Sequence, residues 1–459
     1  MTPPASRFQP ADLTRLVLLA GYVLVLALNL PGHLSVDPIL SLYEGRLHER
    51  ITWGPPFHAW VLGAFDQLLT GTSLYVAATA LLLFGGWIWL VRQQGRVSWL
   101  AVLGAAAVVA TPNILIYQGI VWKDVFFANT ATLGFICLVA AARTWSPGRR
   151  PPLIALGAAA LLFAMASLVR QNGLVAWFPA AAAVAWAARE RGWRAMAGWS
   201  LGWLVVVSLV AQTLSVSATP IKNRDDISIS RGVRIVQHHD IAGFLARDPN
   251  LPLARIDRSN PVSDDTLRAR APQRWSPERV DYIGLDRTLA RTFWRLPDDA
   301  VRAEWLGLIR EHPLGYLQIR LADFGWVFAT PVIDRCLPVH VGVAGPPGPM
   351  ARLGLEPRHD ARDIQLYNYV TWFMDTPVMS HVAYAVLALA VAGVLLLRRR
   401  PGDIPILALQ VAALGFAASF LVISIACDYR YLYFLDVAAL TGLFYLSLDL
   451  AVWRRAPSA

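Results

Sequence analysis

Lys123-Asp124-Val125-Phe126-Phe127-Ala128-Asn129-Thr130-Ala131-Thr132-Leu133-Gly134-Phe135-Ile136-Cys137-Leu138-Val139-Ala140-Ala141-Ala142-Arg143 decides the fold. Eighteen uncharged residues lie between a Lys-Asp dipeptide and an arginine. A helix of that length nearly crosses a hydrocarbon core, and in lipid a segment must pair its own backbone groups. The run therefore reads as a transmembrane helix with polar chemistry at one end.

Similar runs recur on both sides of it. Candidate spans are 13–30, 73–91, 97–113, 125–142, 153–168, 173–188, 196–216, 382–397, 404–425 and 432–452. Mean hydropathy of +0.45, with 56% hydrophobic and 16% charged residues, agrees. The expected fold is an all-α polytopic membrane protein with ten to twelve transmembrane helices. Residues 56–69 are too few to span and carry Asp66, so they read as an interfacial or re-entrant helix.

Arginines set the orientation. Arg7 and Arg15, Arg92 and Arg96, Arg143 with Arg149 and Arg150, Arg189, Arg191 and Arg194, Arg398 to Arg400, and Arg454 with Arg455 fall at alternate ends of successive spans. The positive-inside rule makes those ends, and both termini, cytoplasmic in a bacterial inner membrane. No small-residue cleavage pattern follows the first span, which reads as a retained helix. The net charge of +10 is thus largely topogenic, available to lipid headgroups, and calls for no nucleic acid.

The chain divides into an N-terminal transmembrane module (1–216) with a first outer loop (31–72), a large periplasmic region (217–381) and C-terminal transmembrane helices (382–459). The 165-residue region between spans seven and eight is too polar for lipid and reads as mostly helical. Helical spacing appears at 298–310 and 314–328, the latter as an interfacial helix introduced by Glu311-His312-Pro313. Cys137 sits within a span as a small apolar residue, while Cys336 and Cys427 fall on the outer, oxidising side, where a disulfide between them is open.

Polar clusters gather on that same side. Asp37 follows the first span, where partial desolvation suits a general base; the plain structural reading makes it a helix N-cap ahead of Pro38. Tyr43, Glu44 and His58 share its loop. Lys123 and Lys222 are the two lysines in a chain that otherwise uses arginine, and a compact ammonium next to Asp124 suits a phosphate; a snorkelling surface pair is the alternative. Arg170, with Gln171, Asn172 and Gly173, stands at an outer helix end against the arginine bias, so it needs an anionic partner, either a carboxylate or a phosphate. Asp428 and Arg430 form a further outer pair. His238, His239 and Asp240 are too close in sequence to present themselves well to one metal, so zinc is weakly indicated, no cofactor is assigned, and a divalent cation is left open. Phosphate-cradling glycine loops and serine-hydrolase, zinc-protease and paired-cysteine motifs are absent.

These features resemble the GT-C-fold membrane glycosyltransferases, including protein O-mannosyltransferases and lipid A aminoarabinose transferases. An acidic residue after the first span, a Pro-Pro start to the next helix, Trp122-Lys123-Asp124, the Arg170-Gln171-Asn172-Gly173 turn, the Asp240 segment, Glu311-His312-Pro313 and Asp428-Tyr429-Arg430-Tyr431 carry the resemblance. It implies transfer of a sugar from a polyprenyl-phosphate donor to an envelope lipid, glycan or protein on the periplasmic face. Asp37 and Asp124 are then catalytic. Lys123, Arg170 and Arg430 meet the donor phosphate, and Tyr43, Glu44, His58, Asn172, His239, Asp240 and Asp428 line the substrate. Many relatives begin the second helix with His-Pro-Pro; here the triplet is Gly54-Pro55-Pro56, with His58 two positions later. An O-antigen polymerase or ligase, and a lipid-linked-sugar flippase, are the competing functions. The first works mainly through Arg and His, and the second calls for charges at mid-membrane.

Overall fold

In lipid a segment satisfies its N–H and C=O groups internally, and the apolar runs accordingly fold as helices. The computed structural model describes residues 9–52, 54–146, 149–218, 222–223, 229–259 and 261–449. Arg7, Trp53, Arg454 and Arg455 lie outside the described residues.

The chain is all-α and polytopic. Its first half contains α1 (Pro10–Asn29), α2 (Val36–Leu47), α3 (Pro56–Leu68), α4 (Ser73–Arg92), α5 (Leu100–Ala110), α6 (Pro112–Leu115), α7 (Lys123–Thr144), α8 (Leu153–Val169), α9 (Trp177–Ala187) and α10 (Trp193–Ser217). There follow α11 (Ile229–Arg247), α12 (Ala254–Ser259), α13 (Pro261–Arg274), α14 (Asp281–Leu285), α15 (Arg287–Arg295), α16 (Asp298–Glu311) and α17 (Pro313–Ala329). The last helices are α18 (Pro347–Leu353), α19 (Ala361–Thr371), α20 (His381–Arg398), α21 (Asp403–Ile423) and α22 (Tyr433–Leu448).

Among the described residues seven helices are long and apolar enough to cross a membrane: α1, α4, α7, α10, α20, α21, and α22 with the turn before it. An eighth is broken. Pro112 cannot donate a backbone hydrogen bond and forces Thr111 into an extended conformation, so α5 and the segment Pro112–Gly119 meet at 68°. The two remaining expected spans are shorter: α8 has 17 residues, and 173–188 divides into the 3-10 stretch Gln171–Ala176 and the 11-residue α9. The span that decided the fold, α7, is buried on nearly every side, as its lack of a polar face requires.

The chain forms two compact units. One comprises 1–222, 339–416 and 432–459, and the other 223–338 and 417–431. Residues 339–381, which the sequence groups with the large outer region, therefore pack in the first unit. Backbone pairing with the first outer loop holds them. Leu34 donates to the Gly342 carbonyl and Ala344 donates to that of Leu34, each at 2.9 Å, and the Gly342 N–H reaches His33 Nδ1 at 2.9 Å.

Two features fix α2 against α3. Arg46 forms a two-pronged bond to Asp66 at 2.7 and 2.6 Å. Gly45 and Gly63 let the backbones touch: a Cβ on Gly45 would stand 2.1 Å from the Ala59 carbonyl oxygen. The last turn of α2 is thereby fixed against α3.

In the second unit Ile241, Phe244, Leu245, Ile256, Leu267, Leu289, Phe293, Val301, Leu308 and Ile319 form one core. The two segments read as helical become α16 and α17, the latter opening at Pro313 with His312 as its N-cap. A disulfide joins Cys336 to Cys427, with Cα atoms 4.9 Å apart.

Candidate active site

Asp37 lies in the first turn of α2 and is exposed. The N-cap is Ser35, not Asp37, because the helix begins two residues earlier than the capping reading supposed. Asp37 sits at the second helical position, where the helix dipole favours a carboxylate. Ser35 Oγ accepts a hydrogen bond from Trp122 Nε1 at 2.9 Å. That bond ties the turn before Asp37 to the residue before Lys123, and a backbone bridge between His33 and Ile120 reinforces it.

His58, the third residue of α3, completes the convergence. It is 2% exposed, and its Nε2 lies 3.1 Å from the Tyr75 hydroxyl on α4. Nδ1, on the opposite side of the ring, is buried and has no hydrogen-bond partner among the described residues. Burial, then the nearby Lys123 ammonium, push the imidazole down to about 3, while the Asp37 carboxylate pulls the other way. Asp37 and Lys123 thus both lie within electrostatic reach of one neutral histidine.

Asp124 follows Lys123 in the first turn of α7 and is buried, 3% exposed. Its partner is Arg170, which caps the end of α8 in an extended conformation. Of the two partners the sequence left open for Arg170, a carboxylate or a phosphate, the protein supplies the carboxylate. Asn172, half-buried, lies in the 3-10 turn that follows.

The other residues of the first loop hold its framework. The Glu44 carboxylate is buried and accepts from the backbone N–H groups of Ile51 and Thr52 at 2.9 and 2.6 Å. Desolvation raises its pKa, and those two bonds oppose the rise. Tyr43 accepts from Arg352 at 2.6 Å and donates to Glu49 at 3.3 Å.

The remaining sequence candidates belong to the second unit. Asp240 is fully buried, ion-paired to Arg320 at 2.5 Å and bonded by Trp305 Nε1 at 2.8 Å; burial pushes its carboxyl up to about 6. His239 Nε2 lies 3.1 Å from Asp323, which also pairs with Arg320. Arg320 donates further to the carbonyls of Val422 and Ser424, anchoring the segment that carries Cys427, Asp428 and Arg430. Asp428 binds Arg279 at 3.2 Å and Arg430 at 3.1 Å. This network is an interior scaffold. Among the described residues no group of three or more His, Cys, Asp or Glu side chains is placed to hold a metal ion.

Sequence reasoning missed Ser35, Trp122 and Tyr75 as parts of the site. Trp122 stood beside Lys123 and was the one with a local signal; Tyr75 sits in an apolar span with none.

No protein-family model matches the sequence, and no curated protein matches it. The chain is similar to solved structures of ArnT from Cupriavidus metallidurans bound to undecaprenyl phosphate, with 14% identity, 94% of this chain and 77% of that one covered, and a TM-score of 0.36. It is likewise similar to the archaeal oligosaccharyltransferase AglB from Archaeoglobus fulgidus in complex with an inhibitory peptide and a dolichol-phosphate, at 14% identity and a TM-score of 0.39. There 95% of this chain covers 50% of the other. Similarity at this level assigns no residue a role.

Proposed function

We propose that the first unit transfers a sugar from a polyprenyl-phosphate donor to a hydroxyl of an envelope acceptor, on the periplasmic side of a bacterial inner membrane. The observation that carries this reading is the convergence of Asp37, Lys123 and His58, with the Asp124–Arg170 pair next to Lys123. An exposed carboxylate and an ammonium facing one neutral, buried imidazole supply the two charges that glycosyl transfer from a phosphate needs.

Asp37 accepts the proton of the acceptor hydroxyl as its oxygen attacks the anomeric carbon. The bond from that carbon to the phosphate oxygen breaks, and the electron pair leaves with the lipid phosphate. Lys123 meets the charge that develops there. Arg170 acts through Asp124 as a positioning residue: the pair binds the start of α7 to the end of α8 and so fixes the adjacent Lys123. His58, neutral at physiological pH, is held by the Tyr75 hydroxyl through Nε2 and adds no charge of its own beside Asp37 and Lys123.

The test uses purified protein in lipid nanodiscs, undecaprenyl phosphate carrying a radiolabelled sugar, and envelope membranes from a strain lacking the protein as acceptor. Label should pass to an envelope fraction while undecaprenyl phosphate is released in equal amount. If the label stays on the donor, or crosses a proteoliposome membrane unchanged, the transferase reading fails.

A further inference from the structure

The second unit contains a cleft of about 480 Å³ between α13 and α15, lined by Val262, Ser263, Thr266, Thr288, Arg291, Thr292 and Arg295. Its lining divides by hydrogen-bond sense. Thr266 Oγ1 donates to the Val262 carbonyl and Thr292 Oγ1 to that of Thr288, both at 2.9 Å. Each hydroxyl has thus spent its one proton within its helix and keeps only lone pairs to offer. The arginines are donors alone.

Carboxylates near the cleft are already engaged. Asp264 binds Arg268 at 3.0 Å, and Asp286 binds Arg270 at 2.8 Å while capping α15 through the N–H groups of Thr288 and Leu289. Arg291 and Arg295 are exposed and form no ion pair with a carboxylate among the described residues. Their four-residue spacing places both on one face of α15. A solvated arginine face alone would show no matching acceptors opposite. Here Thr266 on α13 faces the arginine helix across the cleft.

We infer that this cleft binds an acidic sugar, its phosphate or carboxylate on Arg291 and Arg295 and its hydroxyls donating to the threonine oxygens. The volume suits one or two sugar rings. The inference does not depend on the transfer reaction proposed for the first unit.

The experiment uses the full-length protein in phosphatidylcholine nanodiscs, titrated with glucose 6-phosphate, glucose and inorganic phosphate, with binding read by saturation-transfer NMR and calorimetry. Glucose 6-phosphate should bind at least about tenfold more tightly than either glucose or phosphate, since only it engages both donors and acceptors. Arg291→Ala with Arg295→Ala should weaken it by about tenfold or more. Thr266→Val with Thr292→Val should weaken glucose 6-phosphate but not phosphate, and Arg287→Ala, outside the lining, should leave binding within about twofold. Melting curves establish that each variant is folded; if the arginine pair is not, the threonine pair decides alone. Equal binding of phosphate and glucose 6-phosphate, or undiminished binding in the folded variants, overturns the proposal. So does binding that appears only when phosphatidylglycerol is added to the disc, which makes the cleft a lipid-headgroup contact.

Discussion

Arg170→Met removes the partner of a carboxylate whose side chain is 3% exposed, leaving Asp124 charged in a site with almost no water. Truncating one member of such a buried pair costs about 3–5 kcal/mol, because the remaining charge keeps its desolvation penalty and loses the opposite charge beside it. Asp124→Asn is milder. The guanidinium it strands is 12% exposed and keeps some hydration, so the expected loss is about 1–3 kcal/mol. The double variant Asp124→Asn, Arg170→Met should be more stable than Arg170→Met alone, with a coupling of about 1–3 kcal/mol. The assay is a double-mutant cycle on unfolding of the purified protein in detergent, accompanied by donor binding. If Arg170→Met leaves stability unchanged and abolishes donor binding, the arginine serves the phosphate directly, and the argument that Asp124 consumes its charge is wrong.

Other variants test the framework. Gly45→Ala places a Cβ 2.1 Å from the Ala59 carbonyl, so α2 and α3 must separate; melting should fall by the equivalent of about 1–3 kcal/mol, and turnover should fall with it. His33 and His58 are held at about 3 against an ordinary 6.5, chiefly by burial. With folded values below the unfolded one, unfolding takes up protons. Stability is therefore full above pH 6.5 and declines toward pH 3 by up to about 1.4 kcal/mol per group per pH unit. Melting at pH 7.5 and pH 5 should show this decline, and His58→Gln should flatten it; an unchanged slope contradicts the burial argument. Cys427→Ala should destabilise the second unit by about 2–4 kcal/mol, seen as faster proteolysis of that unit under non-reducing conditions.

The helices that cross were readable because lipid admits few alternatives: an uncharged run near twenty residues has to be helical. The break at Pro112 was not read, since the expected span 97–113 ran through it. Lateral proximity was not readable in the same way. Arg170 announced its need for an anion, yet nothing local told carboxylate from phosphate, since packing of α7 on α8 makes that choice. The placement of 339–381 was hidden for a related reason. Polarity set the segment apart from the expected spans, but its backbone pairing with Leu34 depends on short edges that carry no periodic pattern. The segment 314–328 differs in the opposite direction. It was read as an interfacial helix, whereas its Arg320 and Asp323 are buried with Asp240 and His239 inside the second unit.

Asp37 is the residue on which the account turns, because the proposed transfer gives its carboxylate the proton of the acceptor hydroxyl. Single-turnover sugar transfer from labelled undecaprenyl-phosphate donor, compared between the unaltered protein and Asp37→Asn at matched folded concentration, isolates it. The predicted result is a rate lower by about 10² or more with donor affinity retained, the scale of a lost general base. Transfer at an undiminished rate in Asp37→Asn would contradict it.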